Sequence, residues 1–218
     1  MSLFGAPTLI VGEISMSNLP LLGRWVDGEI FSDSESGANK DLNVFYPKVP
    51  RDWYWVALLA GGDPGNYEAM KQGQLIVRHN PNYQGDSLIR PFSPGGRVQR
   101  KWGMNAGSKT LELSVAVPPE NFSALSGFFG YGGDERGIFN INSFAFVANS
   151  LLTQNNPIDK QIWNDHGSGA KDDGSVWGVA NTAWKGNGWQ CFVPNSGYDQ
   201  PAGTFPSLDL NQIDFSQG

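Results

Sequence analysis

Aspartate, serine and glycine recur together in one stretch of this chain, and their oxygen atoms can bind a cation or a sugar. Asp165 and Asp173 lie on either side of a glycine-rich turn that also contains His166 and Ser168. Carboxylates are the ligands that Ca²⁺ prefers, so the two aspartates could begin a calcium site. With Ser168 they could instead bind sugar hydroxyls. Aspartates beside such a turn also commonly accept hydrogen bonds from its backbone N–H groups, and we favour this structural interpretation.

Two further candidate sites combine aromatic and polar residues in glycine-rich segments. Trp184 stands near Asn187 in a stretch too rich in glycine for a regular strand, a combination that suits stacking on a sugar face. Residues 127–137 place Tyr131, Asp134 and Arg136 among five glycines. This segment could cover a ligand, contact a partner or touch a membrane with its aromatic part. Indoles that cap the core and a mobile connector are the structural alternatives.

Side chains that could perform catalysis are few. Histidine occurs only as His79 and His166, and the single cysteine, Cys191, has neighbours typical of a core. No G-x-S-x-G, H-E-x-x-H or phosphate-loop motif is present. An enzyme would have to use Asp165 with His166, or the charged group that begins at Asp134. The sequence leaves an enzymatic function open and favours a non-enzymatic one.

Charge and composition narrow the classes of partner. The chain has 15 Lys and Arg against 21 Asp and Glu, a net charge of −6. Phosphate backbones require a basic surface, so we expect no nucleic-acid partner, and anionic membranes are disfavoured for the same reason. No basic residue precedes Arg24 and no run of eighteen apolar residues occurs. With only Cys191 there is no internal disulfide, so we expect a cytoplasmic protein, or one secreted without a recognisable signal peptide.

The aspartate-containing loop occurs twice, because residues 162–177 align without gaps with residues 30–45. Seven positions are identical, namely Ile30/Ile162, Asp33/Asp165, Ser36/Ser168, Gly37/Gly169, Ala38/Ala170, Asp41/Asp173 and Val44/Val176. A shift of 71 positions gives a weaker third copy, which pairs Phe31 with Trp102 and Val44 with Val115, and has Met104 at the first aspartate position. We therefore predict repeats near residues 25–61, 87–127 and 150–193 within one domain spanning residues 1–218.

The predicted elements are almost entirely strands. With 28 glycines and 8 tryptophans the chain suits short strands and tight turns, and Leu111 to Val117 alternates with its odd positions on one apolar face. The best helical candidate is the short stretch from Pro119 to Leu125. We predict an all-β fold, an antiparallel β-prism-like domain with pseudo-threefold internal repeats, and a two-sheet β-sandwich is the alternative.

The repeats resemble those of the vacuolar-protein-sorting-associated domain family of fungi, plants and bacteria. Its members carry an L-x-x-P element, a W-x-D-x-G-S-G-A-x-x-D-x-S-V-W element and a P-x-x-P-x-G-Y element. The matching residues are Pro157, Trp163, Asp165, Gly167, Ser168, Gly169, Ala170, Asp173, Ser175, Val176 and Trp177. Ser34 and the residue after it depart from this pattern in the first copy. The resemblance implies a fold built of repeats and assigns no catalytic residue.

A non-enzymatic carbohydrate-binding or recognition protein, lectin-like and defensive, is the leading functional hypothesis. Its ligand would be a glycan or glycoconjugate, it would need no cofactor although calcium is a candidate, and homo-oligomers would strengthen weak single sites. One alternative is a membrane-active toxin, or its receptor-binding module, in which the aromatic segment from Phe128 to Tyr131 contacts the membrane. The other is an enzyme acting on a glycan or small molecule.

Overall fold

A computed structural model describes residues 18–34, 36–62, 70–93, 95–106, 109–131, 141–184 and 188–216, with the backbone alone at Ala106, Lys109, Tyr131 and Trp184. In these ranges twenty strands form six sheets. Helical structure there is limited to Met70–Lys71 and the 3-10 turns Ile141–Ser143, Asn149–Leu151 and Leu210–Gln212. The all-β prediction is confirmed. The strands form six sheets, whereas the β-sandwich alternative would have two. No helix in the described ranges has the length and apolar character needed to cross a bilayer.

The first group of strands forms two sheets. Its strands are β1 (Leu21–Val26), β2 (Gly28–Ser32), β3 (Asn43–Pro47), β4 (Tyr54–Trp55), β5 (Leu59–Gly61) and β6 (Gln74–His79). One sheet contains the antiparallel order β2-β3-β5, and the other contains β1-β6-β4. The second, third and fifth strands thus form one sheet, and the first, sixth and fourth form the other.

The second group has the same order. Its strands are β7 (Ile89–Pro91), β8 (Val98–Ala106), β9 (Lys109–Ala116), β10 (Phe122–Ser123), β11 (Phe128–Tyr131) and β12 (Ala145–Ala148). They form the sheets β8-β9-β11 and β7-β12-β10, both antiparallel. The position of each strand in its sheet matches that in the first group.

The third group keeps this order with one change. Its strands are β13 (Leu152–Asn156), β14 (Ile158–Asn164), β15 (Gly174–Val179), β16 (Ala183–Trp184), β17 (Gly188–Trp189), β18 (Phe192–Ser196), β19 (Phe205–Leu208) and β20 (Ile213–Asp214). They form β14-β15-β18 and β13-β19, while β16 and β17 extend the first group's sheet beside β5. The last strand, β20, pairs in parallel with β1, so the third group is joined to the first at both places.

One turn precedes the fourth strand of each group. Trp53, Phe122 and Thr182 each donate a backbone hydrogen bond to the carbonyl three residues earlier. The residue before each donor, Asp52, Asn121 and Asn181, has φ between 64° and 65°. Asp and Asn tolerate this left-handed conformation better than other side chains. The predicted helix from Pro119 to Leu125 is therefore wrong, because Asn121 takes the chain out of helical geometry and into β10.

The second hairpin is shorter than the sequence alignment implies. Phe31 pairs with Val44 and Trp163 with Val176, and Trp102 pairs with Leu113. Leu113, two residues before Val115, is therefore the structural counterpart of Val44. The sequence alignment that placed Val115 at the position of Val44 is wrong. The predicted apolar face of this strand is also only partly right. Leu111 and Leu113 are buried, whereas Val117 is 39% exposed.

Aromatic rings from all three groups meet in the core. Phe129 is 0% exposed, and its ring centroid lies 5.1 Å from that of Phe31, 6.1 Å from Trp102 and 6.3 Å from Trp163. The buried hydroxyl of Tyr46 accepts from the Phe129 N–H and donates to its carbonyl, both at 2.8 Å. The three hairpins therefore share one aromatic core.

Candidate functional site

The two aspartate loops have the same hydrogen bonds. In each loop the aspartate accepts a backbone N–H nine residues later, from Leu42 to Asp33 and from Gly174 to Asp165. The serine three residues after each aspartate donates its hydroxyl to the carboxylate. That serine also accepts the backbone N–H two residues further on. Asp165 and Ser168 therefore serve the loop itself, as the structural interpretation of the motif expected.

Glycine is needed at one shared position of these loops. Gly37 and Gly169 occupy corresponding positions and have φ of 76° and 75°. This left-handed region strains residues that carry a Cβ atom. The identity of the two loops at this position therefore reflects backbone conformation.

An indole from a neighbouring strand completes the loop at Asp165. The Trp102 indole Nε1 donates to the Asp165 carboxylate at 2.8 Å. The corresponding indole of Trp163 makes no hydrogen bond of ordinary geometry, although it lies near enough to lower the pKa of Asp33. Burial outweighs this effect and the loop's own hydrogen bonds, and raises the pKa of Asp33 to about 7.

The candidate calcium ligands lie in different environments. Both oxygens of Asp165 accept hydrogen bonds from the protein, and its side chain is buried. Asp173 is exposed. No group of three or more His, Cys, Asp or Glu side chains that could hold a metal ion occurs in the described ranges. The structure thus assigns Asp165 a structural role and leaves Asp173 at the surface.

The two loops contact each other and enclose an open cleft. The backbone N–H of Asn39 donates to the carbonyl of His166 at 2.9 Å. Beside this contact lies a cleft of about 240 Å³, lined by Asn39, Lys40, Gln161, Ile162, Trp163, Asn164 and His166. We call it the loop cleft. Its polar lining consists of three carboxamide side chains, one ammonium group and one imidazole.

A chain of hydrogen bonds orients the carboxamides of the loop cleft. The Gln161 Nε2 donates to the Tyr198 carbonyl at 3.3 Å, and its Oε1 accepts from Asn164 Nδ2 at 2.9 Å. The Oδ1 of Asn164 then accepts the His166 backbone N–H at 3.2 Å. Since only part of each carboxamide's hydrogen-bonding capacity is used, the remaining groups can bind ligand hydroxyls.

Tyr198 stands beside this cleft. Its ring is 37% exposed and lies 6.1 Å from the His166 ring in an edge-to-face arrangement. Desolvation and the neighbouring Asp165 and Asp173 carboxylates raise the pKa of Tyr198 well above its usual range. The hydroxyl is therefore protonated at neutral pH.

The structure places the other predicted site residues as follows. Trp184 lies in β16, against the expectation of an irregular segment, and its side chain lies outside the described part of the chain, as does Asn187. Tyr131 ends β11, with its side chain also undescribed, and Asp134 and Arg136 fall outside the described residues.

The aromatic segment that we predicted as a loop is a core strand. Phe128 to Tyr131 form β11, and Phe129 is completely buried. Pairing with β9 turns alternate side chains inward, which is why Phe129 joins the core. Phe129 is therefore unavailable for membrane contact, Phe128 is partly exposed, and the side chain of Tyr131 lies outside the described part of the chain.

Sequence reasoning missed most of the loop cleft. His166 was a candidate, whereas Asn39, Lys40, Gln161 and Asn164 were not. All four differ from their counterparts in the other aspartate loop, which are Lys171, Asp172, Glu29 and Ser32. The identical positions maintain the conformation of the loop. The polar positions that differ between the two loops were therefore the sequence signal that could have indicated the cleft.

Comparison with known proteins identifies a similar structure and no family. No family model matches the chain, and no curated protein matches it. The fold is similar to the crystal structure of GNIP1Aa from Chromobacterium piscinae, with a TM-score of 0.70 and 23% sequence identity. The alignment covers 92% of this chain and 39% of GNIP1Aa, so the chain spans well under half the length of that protein. The likeness concerns the fold.

Proposed function

We propose that this protein is a non-enzymatic binding module that recognises a sugar in the loop cleft. The observation that carries the proposal is the oriented chain of carboxamides from Gln161 to Asn164, beside Lys40 and His166. Carboxamides both donate and accept hydrogen bonds, as sugar hydroxyls do. Tyr198 adds an exposed ring and a protonated hydroxyl at the same place.

The size of the loop cleft suits a small ligand. Its volume of about 240 Å³ lies below the usual range of drug-sized pockets, about 300 to 1,000 Å³. One sugar unit of a longer glycan would fill it. Single contacts of this size bind weakly, so a homo-oligomer would strengthen binding by presenting several clefts.

The lining of the cleft supports binding more than glycan hydrolysis. Glycosidases of the common types use two carboxylates across the scissile bond. The described residues that line the loop cleft include no aspartate or glutamate. Asp165, the nearest candidate in sequence, is buried and occupied by the loop.

A receptor-binding module of a larger protein, including a membrane-active toxin, is the second candidate. The observation that favours it is that a similar fold occupies only part of the longer GNIP1Aa chain. A receptor-binding module would also need a recognition cleft. It differs from the first candidate in being attached to a larger protein.

The test is sugar binding by wild type and by paired lysine variants. Lys40→Ala removes the ammonium group from the cleft, while Lys171→Ala removes one from the other loop, away from the cleft lining. In saturation-transfer NMR with a panel of monosaccharides, we expect signal for wild type and K171A and a loss in K40A. Gln161→Ala should weaken the same signal.

Two results would contradict the proposal. One is the absence of binding to a broad glycan array by a sample shown to be folded. The other is equal binding by wild type, K40A and Q161A, which would place the ligand elsewhere. Leakage of lipid vesicles with no glycan binding would favour the membrane-active alternative.

A further inference from the structure

Two arginine side chains pack on one buried tryptophan in the sheet β1-β6-β4. The guanidinium carbon of Arg24 lies 4.4 Å from the Trp53 ring centroid, and that of Arg78 lies 4.9 Å from it. The register pairs Arg78 with Leu22, two residues before Arg24, so both arginines extend from the same face of the sheet. Trp53 is 7% exposed.

These two positive charges form no ion pair in the described part of the chain. Its ion pairs join Lys48 to Glu29, Arg51 to Asp52, and Arg100 to Glu112. Neither Arg24 nor Arg78 is in an ion pair with a described carboxylate. Two guanidinium groups on one ring repel each other, and this occurs in a protein of net charge −6.

Hydrogen-bond donors are also left unused at this place. The Nε atoms of Arg24 and Arg78 are buried without a hydrogen-bond partner, and so is Nδ1 of His79. They are three of the six buried side-chain nitrogen and oxygen atoms in the described ranges that have no partner. A buried donor left unpaired costs about 1 to 3 kcal/mol, so the two Nε donors beside one ring are unusual, while His79 follows Arg78 in β6 and extends from the opposite face.

An open cleft gives access to Arg78, while Arg24 and Trp53 are not among its lining residues. It has a volume of about 370 Å³ and contains Arg78 and His79 in its lining, with Tyr54 and Ser87. Asp52 also lines this cleft, but its carboxylate is highly exposed and lies 3.8 Å from Arg51. The cleft is on a different sheet from the loop cleft and shares no lining residue with it.

We propose that Arg24, Arg78 and Trp53 form a binding site for an oxyanion, a sulfate, phosphate or carboxylate group. Guanidinium groups bind such anions through two parallel hydrogen bonds, and stacking on an indole fixes their planes in advance. The anion supplies a counter-charge and accepts from the free Nε atoms. The site is independent of the proposed sugar cleft.

The experiment measures anion binding to wild type, R24Q, R78Q and the control R100Q. Arg100 is the matched control because it carries the same charge on another sheet and already pairs with Glu112. Sulfate and glucuronate are titrated at constant ionic strength against chloride, with glucose as the uncharged analogue. The readouts are the arginine Nε–H and tryptophan indole N–H signals in ¹H–¹⁵N NMR spectra.

We expect sulfate and glucuronate, and not glucose, to shift the Arg24, Arg78 and Trp53 signals in wild type and R100Q. Each of R24Q and R78Q should lose about tenfold in affinity, the effect of one charged hydrogen bond. Binding by glucuronate alone would support the site and identify an acidic sugar as its ligand. If a glutamine variant does not fold, R24K and R78K keep the charge without the two-point geometry and should also bind more weakly.

The proposal is overturned by an equal response to glucose, or by the absence of any anion-specific shift in wild type. It is also overturned if R24Q and R78Q bind sulfate as tightly as R100Q does. The Lys40→Ala variant of the loop cleft should bind sulfate normally, so failure of one proposed site is distinguishable from failure of the other.

Discussion

Asp33 and Asp165 are the same residue in corresponding loops, yet their surroundings differ. Both accept the same backbone N–H and the same serine hydroxyl. Asp165 also receives the Trp102 indole N–H at 2.8 Å, whereas Trp163 forms no ordinary hydrogen bond with Asp33. Burial then raises the pKa of Asp33 to about 7. Equivalent positions in a repeat can therefore differ in their electrostatics, because the difference arises from the neighbouring strand.

We expect Asp33→Asn to change how stability depends on pH. The folded-state pKa of about 7 exceeds the ordinary aspartate pKa of 3.8, so between these values the folded protein holds a proton that the unfolded chain has released. This contribution to the free energy of unfolding is complete below pH 4 and is lost as pH rises to 7. The loss amounts to about 4 kcal/mol, and D33N should not show it.

Urea unfolding of wild type and D33N from pH 4 to 8.5 measures this effect. Asp172→Asn is the control, because Asp172 is exposed in the other loop. The free-energy difference between wild type and D33N should fall with rising pH and become constant above pH 7. Parallel profiles for the two proteins would show that Asp33 is not protonated at pH 5 to 6.

At the scale of elements, the sequence predicted the strands better than their register. Alternating apolar residues from Leu111 to Val117 located β9 (Lys109–Ala116) correctly, since that pattern comes directly from the pleat. The second hairpin was misaligned because its paired residues Trp102 and Leu113 are two positions closer in the chain than Phe31 and Val44, and an ungapped comparison cannot detect this difference. The segment containing Phe129 was taken as a loop because its glycines obscured the alternation.

Gly169 and Gly174 of the third hairpin are each required for a different reason. Alanine substitutions distinguish the two reasons. Gly169 has φ of 75° with open space around it, so G169A should cost about 1 kcal/mol in backbone strain. A Cβ atom on Gly174 would overlap the Trp102 side chain. G174A should therefore cost about 2 to 3 kcal/mol, by displacing the indole that donates to Asp165.

Thermal or urea unfolding of G169A and G174A measures whether the second substitution destabilises the protein more than the first. Gly203, with φ of 100° and no atom within 4 Å of a Cβ, supplies a second measure of pure backbone strain. A G174A variant as stable as G169A would mean that the indole moves aside without losing its hydrogen bond.

At the scale of the molecule, contacts between an indole and an aspartate link the second hairpin to the third and the third to the first. The indole of the second hairpin, Trp102, donates to Asp165 of the third, and Trp163 of the third lies near Asp33 of the first. The first hairpin carries Phe31 at the indole position, and the second carries Met104 at the aspartate position. The Phe31 ring has no N–H group to donate, and the Met104 side chain has no carboxylate that would require a donor. We therefore predict that Phe31 and Met104 form the corresponding third contact, without a hydrogen bond.

A double-mutant cycle on Phe31 and Met104 tests this predicted contact. M104D alone should destabilise the protein by about 2 to 4 kcal/mol, because it places a carboxylate against the core cluster without an indole donor. In the F31W background the same change should cost less, with a coupling energy of about 1 to 2 kcal/mol. Additive costs in urea unfolding would show that the two positions do not contact each other.

The loop cleft could not be predicted from the sequence, because it forms where residues far apart in the chain meet. Asn39 and Lys40 face Gln161 and Asn164, more than a hundred residues later. Local patterns predict how each loop folds, and the packing of the first group against the third determines what the loops enclose. The proposed sugar site rests on that packing. The resemblance to the vacuolar-protein-sorting-associated family rests on sequence motifs alone and stays a prediction.

The parallel pairing of β20 with β1 has a consequence for synthesis on the ribosome. Leu21 and Leu22 pair with Ile213 and Asp214, although these residues are almost two hundred positions apart. During translation β1 can bind β6 early, but the edge of β1 that pairs with β20 stays open until β20 leaves the exit tunnel. For most of that time the nascent chain presents an unpaired strand edge, which chaperones or a second nascent copy could bind before β20 does.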